Sequence, residues 1–267
     1  MTYRPQTPIA DGIVERAFVS PWDGTRQTYL EKDFRGQPRS PEALVFVMLH
    51  GAVAHQDQAM TAGIYGDAFT RLGKELERRR ALYICPEYRG GSWMGPAAEA
   101  DTRAILQSVR PPGFRGQLIL AGGSMGGTSA LIFASRHPHL LEGVLALCPS
   151  TDITATCQKF PDQFRQSYGG SPEEVPEVYA ERISRNFCET LGLRPLFLVH
   201  GAKDTLIEVG HSRILAERLR NKATRFRYVE MPDGEHDAPV ALSWRTALDF
   251  LLSTESGIPH GKPEAES

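Results

Sequence analysis

Apolar residues along this chain fall into two patterns. The first is a set of short, nearly uninterrupted runs at 43–49, 81–85, 117–121, 143–148 and 195–200, joined by a more mixed run at 225–231. Runs with little alternation are what strands covered on both faces of a parallel sheet require. The second pattern lies between them and has helical spacing. Residues 66–80 place Phe69, Leu72 and Leu76 on one face, and 238–253 do the same with Val240, Trp244, Leu248 and Leu251. Residues 97–109, Met125–Arg136 and 208–221 read as further helices, and Pro86 and Pro149 stop two of the strands. Strands alternating with helices predict βαβ units, a parallel sheet and right-handed crossovers.

Two regions depart from that rhythm. Ile13–Val19 and residues 26–32 are extended segments on either side of Pro21-Trp22-Asp23-Gly24, a turn signal that predicts an antiparallel hairpin at the sheet edge. Residues 150–192 are polar, carry several Pro and Gly, and hold at most short helices, so they are expected as a cap-like insertion after the sixth strand. Residues 254–267 are rich in Gly, Pro, Ser and Glu and predict a disordered tail. No internal repeat is visible. The expected organisation is one α/β domain over 1–253, built on a mostly parallel central sheet of about eight strands with helices on both faces.

In such a sheet, ligands bind beyond the carboxyl ends of the strands, so those ends are where chemistry is sought. The run at 117–121 leads into Gly122-Gly123-Ser124-Met125-Gly126, which fits G-x-S-x-G between a strand and a helix. A Gly-rich turn there could also cradle a phosphate, but Thr128 stands where a P-loop needs Lys, and G-x-G-x-x-G does not fit. A serine hydroxyl is a weak nucleophile until a base takes its proton, and the base needs a carboxylate to orient it. Asp204 follows the run ending at His200, and His236 follows the run ending at Met231, which gives the order Ser, Asp, His. Of the eight histidines, only His236 combines a strand-end position with a place after both Ser124 and Asp204. Asp152, past the strand at 143–148, is the alternative acid. The two oxyanion donors are expected to be the N–H groups of Met125, after the nucleophile, and Ala52, in the loop after the strand at 43–49.

Composition narrows the class. The chain has 267 residues, 41% of them hydrophobic, and 30 basic against 32 acidic side chains for a net charge of −2, so there is no electrostatic footprint for nucleic acid. No apolar run approaches the roughly 20 residues that span a bilayer. Residues 1–10 hold no apolar segment of a secretory signal, so a cytoplasmic protein is expected. Cys85, Cys148, Cys157 and Cys188 have neither disulfide-scaffold nor zinc spacing and are expected as buried thiols.

With these residues in view, the chain resembles the α/β-hydrolase superfamily over residues 12–253, on His50-Gly51, Gly122 to Gly126, Asp204 and His236. Tyr88-Arg89-Gly90-Gly91-Ser92 and the stretch from Tyr168 to Arg182 are similar to the catalytic domain of the prolyl oligopeptidase group and related stand-alone esterases. The resemblance implies the α/β-hydrolase fold and a serine esterase that acts on a small-molecule ester through Ser124, His236 and Asp204. It implies no metal and no organic cofactor. The chain carries no N-terminal propeller of the kind found in such peptidases, so ester cleavage is expected over a peptidase or aminopeptidase activity. A non-catalytic ligand-binding member of the fold would be expected to lack one of the three residues. By topology the insertion and the 88–96 loop border the pocket, with Tyr88, Arg89, Trp93, Phe160, Phe164 and Tyr168 as candidate lining residues.

Overall fold

The computed structural model describes residues 8–10, 12–36, 42–60, 65–110, 112–237 and 241–253. Among the described residues nine strands form one sheet: β1 (Pro8–Ala10), β2 (Ile13–Val19), β3 (Arg26–Asp33), β4 (Val45–Leu49), β5 (Leu82–Pro86), β6 (Leu118–Gly123), β7 (Gly143–Leu147), β8 (Leu196–Gly201) and β9 (Phe226–Met231). Their spatial order is β1-β2-β3-β5-β4-β6-β7-β8-β9. From β5 to β9 every pairing is parallel, and β1, β2 and β3 add an antiparallel edge. The hairpin expected around Pro21 is present, with Val19 opposite Arg26. The strand beyond the expected eight is β1, too short at three residues to show a periodicity.

The strands of the parallel part are buried on both faces because alternate residues serve two different cores. In β4, Val45, Val47 and Leu49 face one core, which is filled by α2 (Pro96–Ser108), α3 (Met125–Arg136), α8 (Gly210–Leu219) and the insertion. Phe46 and Met48 face the other, filled by α1 (Gly66–Arg78) and α9 (Trp244–Leu252). The α1 face is made by Ala68, Leu72 and Leu76, with Phe69 partly buried beside Trp244. Ser243 caps α9 by accepting the Thr246 N–H, which sets the start of that helix at Trp244. Val240 and the proposed tail at 254–267 lie outside the described residues. Among the described residues, no helix is long and apolar enough to cross a membrane. All four cysteines are buried and unpaired.

The insertion contributes α4 (Ile153–Thr156), α5 (Pro161–Tyr168), α6 (Pro176–Ala180) and α7 (Cys188–Leu191), none longer than eight residues. Ile153, Phe164, Tyr168, Tyr179 and Leu191 join the same core as α2 and α3. This explains α3, which is buried along nearly its whole length between the sheet and the insertion. Charge also fastens the insertion. Glu99 of α2 is buried and accepts Arg136 Nε at 2.8 Å and His137 Nε2 at 2.7 Å, both from the end of α3, and it pairs with Arg182 of the insertion. Burial opposes its ionisation, but the hydrogen bonds from His137 and Arg136 and the charge of Arg182 outweigh that and hold the carboxyl at about 2.

Removing one partner of a buried ion pair leaves the other charge uncompensated. Glu99→Ala is therefore expected to cost about 3 kcal/mol, or roughly 6–12 °C in Tm for a domain of this size. The folded-state pKa lies below the unfolded one, so this contribution is complete above the ordinary value of 4.5 and fades as pH falls toward about 2. Thermal melts of wild type and Glu99→Ala should converge across that window. Melting curves that keep the same separation at every pH would remove Glu99 as the fastener.

Candidate active site

The residues singled out by the sequence stand just beyond the carboxyl ends of neighbouring parallel strands. β6 ends directly at Ser124, and α3 begins one residue later. Ser124 has φ 58° and ψ −121°, a left-handed conformation that a side chain rarely tolerates. The turn is tight because strand and helix touch backbone to backbone. A Cβ on Gly122 would lie 2.2 Å from the Gly126 carbonyl carbon, and one on Gly126 would lie 2.2 Å from the Leu49 oxygen. The Ser124 N–H is held by the Leu147 oxygen at 2.8 Å, and its carbonyl accepts the Thr128 N–H at 3.0 Å and the Thr128 hydroxyl at 3.1 Å. The strain thus fixes the serine hydroxyl at the amino end of α3.

His236 closes the gap between serine and acid. Its Nε2 lies 2.9 Å from Ser124 Oγ, and its Nδ1 lies 2.7 Å from Asp204 Oδ2. The carboxylate can only accept, so Nδ1 carries the proton and Nε2 is free to accept from the serine hydroxyl. Asp204 is buried, and its other oxygen accepts the N–H groups of Leu206 and Ile207, each at 2.9 Å. Burial would raise its pKa, but the imidazole N–H of His200, then that of His236 and the Ile207 amide, hold it well below the usual carboxylate range. The two loops that carry acid and base approach closely over Gly201, the last residue of β8. A Cβ there would meet the Glu235 oxygen at 2.2 Å and the Gly234 oxygen at 2.4 Å.

The two oxyanion candidates lie at the start of α3 and in the loop after β4. Met125 is the first residue of α3, so its N–H belongs to the first turn, which has no partners within the helix. In the loop after β4, the Gly51 N–H is taken by Gln58 Oε1 at 3.0 Å, and the Gly51 carbonyl accepts the Ala54 N–H at 3.2 Å and lies 2.8 Å from His50 Nδ1. In a trans peptide the N–H points opposite the carbonyl, so the bond to the Gly51 oxygen fixes the direction of the Ala52 N–H. Asp152 does not face the base. It caps α4 through the Thr154 N–H at 3.0 Å and pairs with Arg185.

Of the six lining candidates, four are corrected by the structure. Tyr88, Trp93, Phe164 and Tyr168 are buried; the last three join the insertion to the loop after β5, and Tyr88 packs on His50. The Tyr88 hydroxyl donates to the His50 oxygen at 2.7 Å, Trp93 Nε1 to Gln163 Oε1 at 2.8 Å, and the Tyr168 hydroxyl to the Trp93 oxygen at 2.8 Å. The rings of Trp93 and Phe164 stack at 5.0 Å. Arg89 is tied to Asp101, Asp23 and Ser20 at 2.6–2.8 Å, and Phe160 keeps partial exposure beside Trp93. Burial of aromatic area outweighs any use of these rings at an open surface.

Two residues near the acid escaped the sequence reading, Cys148 and His200. Their donor atoms and a carboxylate oxygen of Asp204 lie within 4.8 Å of one another. Metal chemistry does not suit this trio. The Asp204 oxygens are already occupied, His200 Nε2 faces the Ile207 carbonyl at 2.8 Å and so carries a proton, and burial pushes the Cys148 thiol up to about 12. No spacing rule marks either residue, because one closes a strand and the other is a lone cysteine.

Comparison with known proteins agrees with this architecture. The sequence model of the prolyl oligopeptidase family matches residues 115–253. The D-(-)-3-hydroxybutyrate oligomer hydrolase of Azoarcus sp. (strain BH72) is 26% identical over 240 residues, 80% of this chain and 31% of that protein. The chain thus spans about a third of the length of that curated relative. A puromycin-hydrolyzing peptidase of Mycobacterium tuberculosis superposes with a TM-score of 0.71 at 17% identity, over 96% of this chain and 42% of the other. The S-formylglutathione hydrolase of Agrobacterium tumefaciens gives 0.64 at 14% identity, over 94% and 99%. Est1E of Butyrivibrio proteoclasticus gives 0.60 at 14%, over 88% and 95%. The fold is that of the α/β-hydrolases. The matched segment covers more than half of the chain and includes Ser124, Asp204 and His236, and the protein belongs to the prolyl oligopeptidase family of hydrolases.

Proposed function

We propose that this hydrolase cleaves carboxylic esters of small molecules by way of an acyl-enzyme on Ser124. The observation that carries the reading is the unbroken line Ser124 Oγ, His236 Nε2, His236 Nδ1, Asp204 Oδ2, with hydrogen-bond separations of 2.9 and 2.7 Å on a strained strand-to-helix turn. Ser124 Oγ attacks the ester carbonyl while His236 Nε2 takes its proton, and the charged imidazole is stabilised by Asp204. The oxygen that becomes negative is met by the N–H groups of Met125 and Ala52. His236 then gives its proton to the departing alkoxide, water enters, and the same residues run in reverse to release the acid.

The choice of an ester over a peptide draws on the relative from Azoarcus, which is named for hydrolysing oligomers of a hydroxy acid, and hydroxy acids oligomerise through ester bonds. Peptide cleavage is the second reading, favoured by family membership and by the fold shared with the puromycin-hydrolyzing peptidase. A panel of p-nitrophenyl esters and aminoacyl p-nitroanilides, run with wild type and Ser124→Ala, separates the two. Ester turnover that vanishes in Ser124→Ala, with slower anilide turnover, is the expected result. Anilides turned over faster than esters would replace the ester reading by the peptidase one.

Ser124→Ala and His236→Ala are each expected to lower kcat by roughly six decades, and the double variant is expected to be little worse, because such residues act as a unit. Asp204→Asn should stay folded and lose about 10³–10⁴ in kcat, the cost of presenting the wrong imidazole tautomer. Losses that add in the double variant, or an Asp204→Asn as active as wild type, would break the proposed line of proton transfer. Gly201→Ala tests the same line through the backbone. Its Cβ must push the 234–236 loop away from the acid, so labelling of Ser124 by a fluorophosphonate should slow at least about tenfold. Unchanged labelling would mean that the approach of the two loops does not matter.

A further inference from the structure

The Asp204 carboxylate is engaged from a second side by a histidine that takes no part in proton transfer to the serine. His200 is fully buried, and its Nε2 lies 3.3 Å from Asp204 Oδ2, the same oxygen that accepts from His236. Nε2 also faces the Ile207 carbonyl at 2.8 Å, and a carbonyl only accepts, so the ring proton resides on Nε2. Nδ1 lies 2.7 Å from the hydroxyl of Ser212, a buried residue of α8 that donates to it. A closed ring results. The Ile207 N–H donates to Asp204 Oδ1 at 2.9 Å, the Ile207 carbonyl accepts from His200, and the imidazole edge rests on Asp204 Oδ2. His200 sits in β8, paired with β9 opposite Glu230, so the ring ties the acid's turn to the rigid sheet. Cys148, with φ 46° at the end of β7, brings its thiol to the same place.

Resting on the reading of Asp204 as the acid of the Ser124 and His236 line, we propose that His200 is a positioning residue: it anchors the turn at 204–207 to β8 and presents Asp204 Oδ2 to His236 Nδ1. A histidine that only filled space at a strand end would need neither the contact with the carboxylate nor the buried hydroxyl that orients its ring. The depression of the Asp204 pKa, to which the His200 N–H contributes first among the favourable causes, agrees with that contact. The titratable groups around the pair are Cys148 just past β7, His211 from α8, Glu230 from β9, and His236 and Asp237 from the loop after β9.

The test compares the whole protein with its variants His200→Leu, His200→Gln and Ser212→Ala. It uses p-nitrophenyl acetate turnover normalised to sites titrated with a fluorophosphonate, so that partial misfolding lowers the number of sites and not the rate per site. His200→Leu is expected to lower kcat per site about tenfold to a hundredfold, with KM within about twofold, since the lost interaction serves the reacting groups and not substrate binding. The acidic limb of kcat/KM should move to higher pH, because a carboxylate relieved of one N–H holds the His236 imidazolium more tightly. His200→Gln, which restores an N–H near the position of Nε2, should recover most of kcat. Ser212→Ala is a small truncation that informs even where His200→Leu does not fold, and a severalfold loss per site is expected. Wild-type kcat per site and an unmoved acidic limb in the folded variants would overturn the proposal. Ser124→Ala separates that outcome from failure of the triad reading, because hydrolysis surviving in this variant would overturn both.

Discussion

The backbone of Ser124 is the constraint on which the rest of this structure depends. A non-glycine residue at φ 58° and ψ −121° costs on the order of 1–3 kcal/mol and persists only where neighbours over-determine it. The neighbours are named: Leu147 of the adjacent strand holds the N–H, Thr128 holds the carbonyl twice, and Gly122 and Gly126 let the two sides touch. Thr128 in turn receives the Ser150 N–H at 2.8 Å, which links the turn to the segment that starts the insertion. The parallel sheet supplies this frame because β4, β6 and β7 end side by side, each within reach of the next backbone. A serine held in this way keeps its hydroxyl beside His236, and the stability lost in the turn is offset by the two cores on either side of the sheet.

The insertion depends on the same frame in a less obvious manner. Four non-glycine residues of the loop after β5, Tyr88, Arg89, Trp93 and Met94, have positive φ. Three of them are held by the insertion and the loop after β4, Tyr88 on the His50 carbonyl, Trp93 on Gln163, and Met94 under Arg182 at 3.2 Å, and Arg89 is held by Asp101, Asp23 and Ser20. A Cβ on Gly95 would stand 2.5 Å from the Ser167 carbonyl oxygen, so loop and α5 are in backbone contact. Tyr88 and Trp93, expected to line a pocket, instead connect the loop after β5 to the loop that carries Ala52 and to the insertion. Gln163 makes the most direct link, since its Oε1 accepts from Trp93 and its Nε2 reaches the Ala52 carbonyl at 3.4 Å.

Much of this was legible in the sequence, for physical reasons that differ from one element to another. Strands buried on both faces must be continuously apolar, and so β4, β5, β6, β7 and β8 were visible to within a residue or two. Ser124 was legible because glycines at Gly122 and Gly126 are required by contact, and Asp204 and His236 because a strand end is where a parallel sheet exposes its loops. The β1 strand was not, since three residues carry no period. The start of α9 was misjudged because a serine cap at Ser243 is a local hydrogen bond, which an apolar pattern extending upstream conceals. The fate of Trp93 and Tyr168 was illegible for a deeper reason. An aromatic ring beside a pocket and one beneath a loop have the same sequence, and only the partner of the polar atom distinguishes them.

His200 and Cys148 show the same limit at the chemical centre. Each looked like a strand-closing residue, because the relation that gives it meaning is a distance to Asp204, which for His200 depends on how the chain turns within four residues and for Cys148 on the pairing of β7 with β8. The pattern of donors around that carboxylate has a common logic. A buried acid left with one partner would tend toward its neutral form, since burial penalises charge. Two backbone amides and the His236 N–H on the carboxylate, with the His200 imidazole edge 3.3 Å from Oδ2, reverse that balance and at the same time oppose rotation of the side chain away from His236. Charge state and orientation are thus set by one group of hydrogen bonds, and the rigid β8 strand to which His200 belongs carries that setting from the sheet to the base.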